Sequence, residues 1–152
     1  MFDTNQSFQN VIYLRTGIFR GNQFCLLSFW SINSFAQLNI STNLRQDGIW
    51  DEAKEEWTLI SIDEEELTFF EFNKEFTMFT HTTPSMTSAY IIKSLKENEE
   101  QYEYRLEVIS DVGNKYLMII NYQNSSLRFF YKTAGDVVMV HHTIKQTWVE
   151  DV

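Results

Sequence analysis

From Trp57 to Ile144 the chain is a succession of short apolar or alternating runs separated by breaks of a few residues, and that spacing constrains the fold more than any other feature. Eight runs stand out: 57–62, 67–72, 76–80, 88–95, 102–110, 115–122, 127–132 and 137–144. Val, Ile, Thr, Phe and Tyr dominate them, the residues that suit a pleated, half-buried surface. The breaks carry turn chemistry, as in Asn73-Lys74-Glu75, Thr82-Thr83-Pro84-Ser85, Asp111-Val112-Gly113-Asn114 and Thr133-Ala134-Gly135-Asp136. Asp63-Glu64-Glu65-Glu66 and Glu97-Asn98-Glu99-Glu100 read as further, acidic turns. A parallel crossover needs about a dozen residues or more, which these breaks do not supply. Successive strands must therefore pair as antiparallel hairpins. The expected fold is all-β, an antiparallel up-and-down meander of about eight strands, and closing it into a small barrel removes the exposed edges.

Side-chain alternation tells which way each strand faces. Along Tyr102-Glu103-Tyr104-Arg105-Leu106-Glu107-Val108, Tyr102, Tyr104, Leu106 and Val108 share one face and the charged residues the other. Leu127, Phe129 and Tyr131 alternate with Arg128 and Lys132 in the same way. A lipid-facing band would have to be apolar, since Arg or Lys at its midplane costs about 2–4 kcal/mol. Arg105 and Arg128 in mid-strand, and acidic breaks at both ends, argue against a membrane barrel, and no stable membrane span is expected. Strands 115–122 and 137–144 are apolar on both faces, so something must cover their outer side.

Charge narrows the classes of partner. With 12 basic against 21 acidic residues the net charge is −9, and such a chain is repelled by polyphosphate. No nucleic-acid function is expected. The single cysteine, Cys25, excludes an internal disulfide and a multi-cysteine zinc site.

Ahead of the strands, Phe24-Cys25-Leu26-Leu27-Ser28-Phe29-Trp30-Ser31-Ile32 is an apolar run followed by Asn33-Ser34-Phe35-Ala36-Gln37. Small residues at Ser34 and Ala36 suit the shallow pockets of a signal peptidase, and Arg15 and Arg20 supply a positive flank. The segment resembles the signal peptides of Gram-negative bacterial proteins, which implies a secreted or periplasmic protein cleaved after Ala36. The competing reading is an ordinary amphipathic helix or two core strands over 11–36. The expected layout is a signal peptide over 1–36 (a start downstream of Met1 being the alternative), a lead-in over 37–56, a β-barrel over 57–146 and a tail over 147–152. Cleavage would leave 10 basic against 20 acidic residues and no cysteine.

A small exported meander of this kind resembles the lipocalins and related calycin-type barrels over about residues 48–146. Gly48-Ile49-Trp50 matches the Gly-x-Trp that opens many members of that family, where the tryptophan closes the barrel base. The resemblance implies a small apolar or amphiphilic ligand held inside.

Candidate site residues follow from the inward faces. Tyr90, Tyr102, Tyr104, Phe129 and Tyr131 would line an aromatic interior, hollow or packed solid, and aromatic walls with a few hydroxyls suit a small amphiphile. His142 shares a face with Val138, Val140 and Ile144 and so points inward, as a core histidine or as a group that orients a ligand, acts as a base beside a tyrosine or acid, or ligates a metal. His81 opens a hydroxyl-rich stretch (Thr80, Thr82, Thr83, Ser85, Thr87, Ser88) that reads either as a polar rim or as a capped turn. His81, His141 and His142 lack zinc-site spacing, so no metal is expected. No Gly-x-Ser-x-Gly elbow or phosphate-cradling loop is present, and neither catalysis nor a cofactor is implied. The expectation is a non-catalytic binding protein for a small hydrophobic or amphiphilic ligand. The alternative is an interaction or inhibitor-type module that docks a protein partner, or a second copy, on an outer apolar sheet face.

Overall fold

A computed structural model describes residues 36–151 as eight strands in a closed antiparallel barrel of order β1-β2-β3-β4-β5-β6-β7-β8. The strands are β1 (Ala36–Asp51), β2 (Glu56–Phe72), β3 (Met78–Thr82), β4 (Thr87–Asn98), β5 (Glu103–Ser110), β6 (Lys115–Asn121), β7 (Ser126–Thr133) and β8 (Asp136–Asp151). Each pairs with its neighbour in sequence, and β1 with β8 closes the ring from Ala36 opposite Asp151 to Ile49 opposite Val138. The meander expected from the short breaks is the observed topology. Apart from Ala36, the segment read as a signal peptide lies outside the described residues.

Two boundaries differ from the expectation. Residues 37–51, expected as a lead-in, are the strand that closes the barrel, because Leu38 and Ile40 bury completely between β2 and β8. Residues 147–151, expected as a tail, extend β8 against the start of β1. The acidic run 63–66 is not a turn. It lies in mid-strand and fuses two expected strands into β2. The strand count of eight therefore holds with one strand gained and two merged.

The two ends of the barrel differ. At the end holding the β2–β3, β4–β5 and β6–β7 connections the interior is solid. Asn73 organises the β2–β3 turn by accepting from the backbone N–H groups of Thr77 and Met78, at 2.9 and 3.1 Å, and the turn tucks Phe76 onto Phe72. A single 3-10 turn (Glu99–Gln101) joins β4 to β5, capped by the Asn98 side chain. Tyr104, Leu106, Met118, Ile120 and Leu127 are wholly buried there. Phe70, Phe79 and Phe129 form the middle layer, with ring centroids about 6 Å apart. Apolar groups line the packed interior, and most charges lie on the outer face. Glu103, on the outer face, is nonetheless largely covered by Arg105 at 2.9 Å and Arg128 at 3.8 Å. No described helix is long and apolar enough to cross a membrane.

On the outer wall, Trp57 stacks edge-on with Trp50 and lies 5.9 Å from Phe130. Gly48 lies under this pair, where an added Cβ would make ordinary contacts with the Thr58 carbonyl, the Trp57 ring and the tip of Met139. These tryptophans supply part of the cover that the two-faced apolar strands require. Gly48-Ile49-Trp50 thus ends β1 rather than opening it, and Trp50 sits on the wall rather than at the base of the barrel.

Candidate functional site

At the other end, where the β1–β2, β3–β4, β5–β6 and β7–β8 turns gather, the interior opens into a cavity of about 200 Å³. The Phe129 ring lies at its floor. Four of the six expected site residues meet around it: Tyr90 from β4, Phe129 and Tyr131 from β7 and His142 from β8. The other two are elsewhere. Tyr104 is buried in the solid half, its hydroxyl donating to Glu97 at 3.1 Å. Tyr102 has a left-handed backbone (φ +51°) as the cap of the 3-10 turn and is 41% exposed, so the alternation of β5 does not extend to it.

The carboxylate that anchors His142 from behind the cavity wall is not legible in sequence. Glu65, from the acidic run, reaches into the barrel and its Oε1 lies 2.7 Å from Nδ1 of His142. It faces inward because Leu67 adopts φ +53° and breaks the alternation of β2, putting Glu65 on the same side as Thr68 and Phe70. A matching irregularity between Thr42 and Leu44 of β1 lets the Thr42 hydroxyl donate to the same carboxylate at 3.1 Å. Burial works to raise the pKa of this carboxyl, but the His142 hydrogen bond and charge, then Thr42 and His81, outweigh it. Glu65 is held below the ordinary carboxylate range.

His81 stacks flat on Phe70 at 4.3 Å and meets His142 edge-on at 5.6 Å. Its Nε2 is buried with no hydrogen-bond partner among the described residues. Burial, reinforced by His142 and Arg45 and only partly opposed by Glu65, pushes His81 down to about 4. His141, expected outward, lies across from Arg128 on β7. Arg45 also lines the cavity, its guanidinium held by both oxygens of Asp47 at 2.8 and 2.9 Å. Among the described residues no group of three His, Cys, Asp or Glu side chains is placed to hold a metal.

Tyr116 and Arg45 also escaped sequence reasoning, for separate reasons. Tyr116 lies on a strand apolar on both faces, where alternation carries no signal, and Arg45 lies in the presumed lead-in. Of the hydroxyl-rich stretch, Ser88 reaches the cavity. Thr83 instead closes the β3–β4 turn, its N–H and hydroxyl both engaging the Met86 carbonyl.

Chemically, the Glu65 carboxylate fixes Nδ1 of His142 as the protonated nitrogen and leaves Nε2 to accept a proton or hydrogen bond from a guest. Tyr90, Tyr116 and Tyr131 add hydroxyls and ring faces. The arrangement defines a closed eight-stranded barrel with a small, polar-aromatic internal site. Comparison with protein-family models, with curated proteins and with solved structures gave no match for this chain. The site is therefore read from its geometry alone.

Proposed function

We propose that the protein is an exported, non-catalytic barrel that binds a small hydrophobic or amphiphilic ligand in the cavity between Tyr90, Tyr116, Tyr131 and His142. One observation carries this reading: three strands chosen from inward-facing pattern converge on a single opening that aromatic packing has left unfilled, while the opposite half is packed tight. At roughly 30 Å³ per water molecule, 200 Å³ admits about seven waters, or one ring or short chain. The lipocalin-like comparison gains support at the level of architecture, with its Gly-x-Trp in a different place. Export fits the register, because cleavage after Ala36 would leave β1 paired from Gln37 opposite Glu150 onward.

Native mass spectrometry of the full chain expressed with access to the periplasm tests both parts. The expected result is a mass lacking the first thirty-six residues and a retained small molecule that Ser88→Trp, which plugs the mouth, expels. A ligand-free wild-type protein would refute the binding reading, and a retained leader would refute export.

A second reading rests on β2. Along Glu56–Thr68 this strand is paired on one side only, and Leu59, Ile60 and Ile62 are each more than half exposed. An open apolar edge of this kind accepts an outside strand, and its acidic flanks Glu56 and Asp63 favour a basic one. If that is the function, Ile60→Lys abolishes capture of a partner while ligand retention persists.

A further inference from the structure

The strand pairs around the cavity mouth stop at different heights. β5 and β6 stay paired to Ile109 opposite Lys115, and β7 and β8 to Thr133 opposite Asp136. Between β6 and β7 the pairing ends earlier, at Leu117 opposite Phe130. The next step would set Tyr116 against Tyr131; instead their rings meet edge-on with centroids 5.4 Å apart. The wedge beyond opens sideways into a groove of about 790 Å³. Tyr116 and Tyr131 line both this groove and the inner cavity, so one pair of rings separates the two spaces.

The charge of the groove is unlike that of the rest of the surface. Lys93, Lys115 and Lys132 line it against the single acid Glu107, which accepts from Ser94 at 3.0 Å. None of these lysines forms an ion pair or side-chain hydrogen bond among the described residues, a state they share with Lys96 and Lys145, whereas Arg45, Lys54, Arg105 and Arg128 are paired. In a chain with 21 acids and 12 bases, three lysines against one acid around a single groove form a local reversal of sign. At depth the sign reverses again: Glu65 is the carboxylate beside His142, and Asp47 already neutralises Arg45.

We propose that this groove holds the anionic head of an amphiphile whose apolar end passes between Tyr116 and Tyr131 into the inner cavity. The inference rests on the cavity being a ligand site and adds the ligand's charge, its orientation and its route. Size and sign require the same pose. The cavity takes only a ring or short chain, so the remainder lies in the groove on the other side of the Tyr116–Tyr131 contact, which parts to admit the chain, and the buried carboxylate turns a negative head outward to the lysines. The ligand class is an organic carboxylate or similar monoanion with an alkyl or aromatic end.

The test is titration of the isotope-labelled full chain with octanoate, octan-1-ol and octylammonium, followed through the backbone amide signals of Tyr116, Leu117, Tyr131 and Lys132. Octanoate should bind tighter than octan-1-ol, and octylammonium weakest. Lys93→Gln/Lys115→Gln/Lys132→Gln should weaken octanoate about tenfold and leave octan-1-ol unchanged, because exposed charge contacts are individually small and add across three sites. The single reversal Lys132→Glu provides a second variant at an exposed position with little risk to folding. Equal binding of octanoate and octan-1-ol, insensitive to the lysines, would overturn the anionic-head inference while leaving the cavity reading intact. Absence of binding by all three in a protein with native spectra would overturn both.

Discussion

His81 is half-buried and neutral against Phe70, with its Nε2 shielded and unpartnered among the described residues, and that placement makes the barrel sensitive to acid. The unfolded chain carries an ordinary imidazole near 6.5, whereas the folded one is pushed down to about 4. Between those values the unfolded state takes up the proton first, so stability falls as pH drops from 6.5 to 4, by on the order of 3 kcal/mol. His141, also lowered by burial and by Arg128, acts in the same direction. His81→Phe keeps the stacked ring and removes the titrating group. Urea unfolding of this variant should show a flatter pH 4–6.5 profile than wild type, and an unchanged slope would count against the shielded neutral form. The Glu65–His142 pair responds differently. His142→Leu strands a buried carboxylate and should cost about 3–5 kcal/mol. Glu65→Leu/His142→Leu, which removes both polar partners, should recover a large part of that loss in the same assay. Additive losses in the cycle would mean that the pair does not interact as its 2.7 Å separation indicates.

At the scale of the element, β2 shows how one residue of phase decides chemistry. Leu67 is 69% exposed and held at φ +53°, a backbone region that costs a side-chain-bearing residue about 1–2 kcal/mol. Leu67→Gly should therefore stabilise the barrel by about 0.5–1 kcal/mol in thermal or chemical unfolding, with the Glu65–His142 contact retained. A loss of stability would show that the Leu67 side chain contributes packing its exposure hides. The same bulge explains why the acidic run was misread. Four consecutive acids have the composition of a hydrated turn, and only an inserted residue turns the third of them inward. By contrast, Leu106, Val108, Leu127 and Phe129 were legible because their strands alternate without interruption and their charged neighbours mark the outer face.

For the whole molecule, closure depends on the strand that looked least like one. β1 pairs along nearly its full length with both β2 and β8. A chain beginning at Asp51 would leave two open edges and expose the core under Leu38 and Ile40, and it should fail to fold. Dispersed amide signals and a cooperative unfolding transition from that fragment would refute this. Short breaks, turn residues and β-rich runs determined the all-β class, the antiparallel meander and the inward faces of four cavity residues, because hairpin connectivity and side-chain alternation are local rules. Tertiary structure alone decided that residues 37–51 seal the barrel, that Glu65 turns in to meet His142 from 77 positions away, and that one half packs solid while the other stays open. Those outcomes depend on strand register and ring packing across the closed sheet, which no local window of sequence contains.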